Sequence, residues 1–172
     1  DPPGDARLAP EHAPHDQCLE GMIAAGRRPH LALELHNDGN GLLHISRPPV
    51  PQLDRHLARM AILEELLRTH TWFTEGSTKA AFRNSGTLGD GWLERYGIDA
   101  AVHEFNCNWV EGLKDYSSAA HWMPYGEQLA AVFHDDRVRV KPLAGPHPRG
   151  RGRPPRGGAR PPGRGAPRVG PG

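Results

Sequence analysis

From residue 137 to its end the chain carries 10 Lys and Arg and no Asp or Glu, and this tract limits what can fold. Residues 142–172 are Gly or Pro at 18 of 31 positions. Such a stretch cannot bury enough apolar side chain to offset the entropy of ordering its backbone. Residues 137–172 are therefore expected to form a disordered basic tail, so any packed core must come from residues 1–136. That body holds 20 Asp and Glu against 11 Lys and Arg, a balance of −9 hidden beneath an overall formal charge of +1. A charge asymmetry of this kind separates a folded body from a tail.

The tail repeats GRG and RPP, a superficial likeness to RGG-type RNA-binding segments. It interleaves no aromatic side chain, and aromatic rings are what bases stack upon. Nucleic acid is thus expected as a partner only non-specifically, through charge. A second reading is an out-of-frame translation of GC-rich DNA. The body, at about 136 residues, is the size of one ordinary domain. It begins at Asp1, without Met or an apolar leader, which suggests a fragment of a longer chain. No apolar run approaches the roughly 20 residues that span a bilayer, so a soluble chain with no membrane partner is expected. Cys18 and Cys107 form no CxxC pair. Two free, buried thiols in a reducing, cytoplasmic setting are the expectation.

Apolar spacing predicts the elements. Residues 10–26 read as a helix with Leu19, Met22 and Ile23 on one face and Gly26 as its stop. HLALELH (30–36), between Pro29 and the Asn37-Asp38-Gly39 turn, reads as a buried strand. Over residues 53–69, Leu57, Met60, Ala61, Leu63, Leu66 and Leu67 recur at helical spacing. A polar, Gly-rich loop is expected over 74–90, then a short helix at 92–96 ended by Gly97, a strand at 98–105 and a closing helix at 127–134. Alternating strands and helices imply an α/β domain, a mixed sheet flanked by helices.

His36 and Glu104 lie near the exits of the two strands, and α/β sheets bind ligands outside the carboxyl ends of their strands. An imidazole and a carboxylate brought together there suit metal-assisted hydrolysis, with the carboxylate moving a proton. Taken singly, each residue has an ordinary structural reading. The surrounding pattern is more specific. SGTLGDGWLERYGIDAAVHEF (85–105), LALELHNDG (31–39), the separation of 68 residues from His36 to Glu104, and Pro124-Tyr125-Gly126-Glu127-Gln128 occur in one order. Together they resemble the C-terminal half of the M14 family of zinc carboxypeptidases, over roughly residues 10–135.

The resemblance implies roles. His36 would be a zinc ligand, Glu104 the general base and acid, and Asn37 a residue lining the substrate cleft. Phe82 would stand where the family has a Tyr that closes over substrate, keeping the ring without the phenol. The substrate implied is a peptide with a free C-terminus. The alternatives are an N-acyl amino acid cleaved by a deacylase of the same superfamily, or a non-catalytic relative whose tail binds RNA or an anionic surface. The family's upstream HxxE motif and Asn-Arg pair are absent. Because catalytic zinc takes three protein ligands and an open position, one His cannot hold it, and this chain alone is expected to be inert.

Other residues receive structural readings. His30, His44, His56, His70, His103, His121 and His134 are expected on the surface or at caps, with His103 on the strand face opposite Glu104. Trp109, Tyr116, Trp122 and Tyr125 are expected to pack a core or wall. Glu34, two residues before His36 on the same face, is either a partner that orients the imidazole or a simple edge carboxylate.

Overall fold

The structure, a computed structural model, describes residues 12–78 and 88–140. The chain divides after Lys141 into two units, and every element below belongs to the first. In order these are α1 (His12–Ala24), β1 (Leu31–Asp38), β2 (Leu43–Ile45), α2 (Leu53–His70), α3 (Leu88–Tyr96), β3 (Asp99–Asn106), β4 (Trp109–Val110), β5 (Asp115–Tyr116) and α4 (Ala119–Arg139). β1, β3 and β2 make a mixed sheet in that order, with β1 parallel and β2 antiparallel to β3. The α/β architecture with a small mixed sheet flanked by helices is as the sequence implied.

Strand alternation divides the sheet. Ala101, His103, Leu43 and Ile45 are buried on one face, together with Met60, Leu63, Leu66 and Leu67 of α2 and Tyr125, Leu129 and Val132 of α4. Each fully buried Leu contributes about 1.5–3 kcal/mol of transfer free energy, so this layer supplies most of the cohesion. On the other face α3 lies close, Gly89 standing against Ser46 and Ala100. α1 is held to α3 by Arg95, which donates to Asp16 at 2.9 Å, and by the Tyr96 hydroxyl, which donates to Glu20 at 2.9 Å.

Several expectations need correction. On α2 Ala61 is exposed and Leu57 only partly buried, whereas His56 and Arg59 are buried. The inward stripe is rotated because Asp99 and Asp136 offer the two polar side chains partners: His56 Nδ1 lies 3.1 Å from Asp99, and Arg59 donates to Asp136 at 2.6 Å. The closing helix begins at Ala119, not at 127, and runs through Arg139, past the expected end of the body at 136. Pro124 lies inside it and lacks the N–H that would reach back to residue 120. The first turns persist because Trp122 and Tyr125 pack on Trp72 and Phe105, with ring centroids 4.5–5.5 Å apart. His121 closes the N-terminus, its Nδ1 accepting from the Ser118 N–H at 3.2 Å, a capping role as expected.

Both cysteines are free, but exposed rather than buried. Cys18 lies on the outward side of α1 beside the inward Leu19, and Cys107 occupies the bend after β3. Of the four aromatics, Trp122 and Tyr125 pack inward, whereas Trp109 and Tyr116 are exposed and meet edge to face across the β4–β5 hairpin. No helix among the described residues is long and apolar enough to cross a membrane.

His103 is buried in the core rather than on the surface, on the face away from Glu104 as alternation requires. It shares a 2.5 Å hydrogen bond with the Tyr125 hydroxyl, and burial lowers its pKa from 6.5 to about 4. In that interval the unfolded imidazole binds a proton that the folded one rejects. Stability should therefore fall as pH drops from 6.5 to about 4, by up to about 3 kcal/mol, and level off below. Denaturant titrations across this range in the parent and in His103→Phe isolate the effect. The parent should lose the larger share, and equal losses in both would remove His103 as the cause.

Candidate functional site

Two neighbouring parallel strands bring the sequence-designated pair together. In the β1–β3 register His36 is the direct partner of Glu104, and paired residues of parallel strands project from one face. This is the α3 side of the sheet, at the carboxyl ends of both strands. The His36 side chain is 52% exposed, and its Nε2 lies 2.9 Å from Glu34 Oε1. Alternation dictates that contact, since residues two apart share a face. Of the two readings of Glu34, the partner that orients the imidazole is the one the geometry realises.

Glu104 is half-buried, and its backbone N–H donates to Leu42 O at 3.2 Å. Its Oε2 is shielded from solvent and has no hydrogen-bond partner among the described residues. An unsatisfied carboxylate oxygen of this kind can accept a proton or a donor from a ligand, and leaving it bare is costly. Asn37, next along β1, turns to the opposite face, where its Nδ2 donates to Cys107 Sγ at 3.1 Å. It does not share the face of His36 and Glu104. Phe82 lies outside the described residues.

The loops around this strand end are tied down by short polar contacts. Asp38 Oδ1 accepts from the backbone N–H groups of Asn40 at 2.7 Å and Gly41 at 2.6 Å. Gly41 has φ +69°, and a Cβ there would come within 2.6 Å of Asn106 Cβ, so only Gly lets the turn lie against β3. Asn106 in turn donates to Trp109 O at 3.0 Å, and its own carbonyl accepts from Ser117 Oγ at 3.0 Å. The β4–β5 hairpin is thereby anchored beside the site. The sequence reading missed this hairpin; its signal was the pair of aromatic residues flanking a turn that contains Gly112 and Lys114, the latter at φ 56°.

No group of three or more His, Cys, Asp or Glu that could hold a metal ion occurs among the described residues. One imidazole already engaged by Glu34, with one carboxylate on the next strand, does not fit a catalytic zinc, which takes three protein ligands. What these residues can do by themselves is hold and move a proton between a water or ligand and Glu104.

No protein-family description, no curated protein and no solved structure matches the chain.

Proposed function

We propose that this chain is the C-terminal part of a zinc carboxypeptidase-type hydrolase of the M14 kind, whose intact form cleaves a C-terminal peptide or amide bond. The observation that supports the reading is the register of His36 with Glu104, on one face at the carboxyl ends of adjacent parallel strands. Hydrolysis of an amide needs a base that takes a proton from water and returns it to the leaving amine. Glu104, with one oxygen unpartnered among the described residues, is the candidate for that task. His36, steadied by Glu34, is the candidate for a ligand to a metal whose other ligands come from elsewhere in the longer protein.

Zinc titration of the purified chain by calorimetry, with an assay on C-terminal peptide substrates, tests the division of the site. The expected result is zinc binding no tighter than micromolar and no turnover. Tight, stoichiometric zinc on this chain alone would sink the proposal that the metal site is only partly present. In the longer parent, Glu104→Gln should remove turnover while leaving the metal content unchanged. Full activity in that variant would strip Glu104 of its role.

A further inference from the structure

The two edges of the sheet are treated differently. The outer edge of β2 is covered by residues 76–78: Leu43 N donates to Gly76 O at 2.9 Å, Thr78 N to Leu43 O at 3.0 Å, and Ile45 N to Thr78 Oγ1 at 3.1 Å. The outer edge of β1 carries no strand among the described residues. It is eight residues long, pairs with β3 without a bulge, and contains neither Lys nor Pro, so of the devices that blunt an exposed edge it keeps only the charges of Glu34 and Asp38. Leu35 is 51% exposed upon it. A cavity of about 280 Å³ opens along the same strand, lined by Leu19, Met22, Leu31, Leu33 and Trp92.

We propose that the outer edge of β1, unpaired among the described residues, is a self-association surface. It pairs antiparallel with β1 of a second copy, in the register that sets Leu35 on the two-fold axis. The strand's own pattern selects this partner. A two-fold axis perpendicular to a sheet puts residues of the same face opposite one another, so only every second register is allowed. With Leu35 on the axis, Glu34 of each copy lies opposite His36 of the other, Leu33 lies opposite Asn37, and residues 32–38 all overlap. Shifting the axis to Leu33 sets His36 opposite His30 and Glu34 opposite Ala32, and shortens the paired segment.

In the favoured register the four ionisable groups alternate in kind across the seam. Each His36 gives Nε2 to its own Glu34, and across the seam the same ring faces Glu34 of the second copy, whose carboxylate can take that donor in turn while Nδ1 stays uncommitted. Such cross-strand pairs and the burial of two leucines favour association, while the joined sheet gives the open backbone groups of both edges partners. The inference is independent of the hydrolase reading, and its test measures mass rather than zinc or turnover, so either can fail alone.

Sedimentation of the whole chain over a hundredfold concentration range should give twice the monomer mass at the upper end. Leu35→Lys should weaken association about hundredfold, since two leucines leave the seam and two ammonium groups meet on the axis. Its circular dichroism should stay that of the parent, because Leu35 is already half exposed. To report the register, Leu35→Cys in a Cys18→Ser/Cys107→Ser background should cross-link on mild oxidation, whereas Leu33→Cys should not. A monomer at every concentration overturns the proposal. So does a dimer that Leu35→Lys leaves intact, or one that Leu33→Cys cross-links as readily as Leu35→Cys.

Discussion

Arg59→Met should cost about 3–5 kcal/mol of stability, enough to unfold a marginal domain. Arg59 is 7% exposed and stands between two carboxylates that are themselves buried, Asp136 at 1% and Asp99 at 3%. It donates to Asp136 Oδ2 at 2.6 Å, while its Nε is 3.6 Å from Asp99 Oδ2. Asp99 retains His56 and Arg55, at 3.1 and 3.3 Å, but among the described residues Asp136 has no second ion-pair partner, and its Oδ1 is unsatisfied. Methionine fills the space of the Arg stem and removes the charge, leaving two like-charged groups facing each other under low solvation.

Burial already holds the Asp136 carboxyl above the ordinary carboxylate range, with Arg59 acting against that trend. Without the guanidinium the carboxyl rises further and takes up a proton, so the loss should be smaller in mild acid than at alkaline pH. Urea titrations of the variant at two pH values check both the size and the direction. The double variant Arg59→Met/Asp136→Leu should recover most of the loss, since replacing a buried pair by apolar groups is close to neutral. A loss below about 1 kcal/mol for the single variant would show that the cluster behaves as a solvated surface pair.

Tyr125→Ala should be comparably severe, at about 3–5 kcal/mol. Tyr125 is 1% exposed and touches Trp72, Trp122, Phe105 and His103, so it joins α4 to the sheet and to the end of α2. Truncation empties the centre of that cluster and removes the hydroxyl from His103 Nε2. The other ring nitrogen of His103 is buried and has no partner, so the imidazole would then lose its one hydrogen bond among the described residues. Tyr125→Phe separates the two contributions. It keeps the ring and should cost only about 1–3 kcal/mol, the penalty for a buried polar group left unmade. If Phe is as damaging as Ala in thermal unfolding, the hydroxyl rather than the packing holds the cluster together.

How much of this could be read in the chain differs from element to element. LALELH betrays β1 because a strand between two helical layers alternates with little polarity, and Met60, Leu63, Leu66 and Leu67 betray the inward face of α2 through helical spacing. His56 and Arg59 on the same helix read as surface residues, since what draws them inward lies 43 and 77 positions away at Asp99 and Asp136. The start of α4 was obscured by Pro124 and Gly126, both unfavourable to a helix, and aromatic packing overrides them. The two-residue strands of the hairpin are too short for any periodic signal.

The same division holds at the candidate site. Chain chemistry named His36, Glu104 and the possible helper Glu34, because strand exits bearing ionisable groups are visible in one dimension. Local alternation is enough to set Glu34 beside His36 and to send Asn37 and His103 to the other face. Whether His36 meets Glu104 depends on the pairing of two strands separated by 68 positions, and a register slipped by one residue would have turned the pair to opposite faces. That register, and among the described residues the unpartnered oxygen of Glu104 and the unpaired edge of β1, follow from how the helices and loops pack around the sheet, since long-range packing free energy selects one pairing among several that local sequence permits.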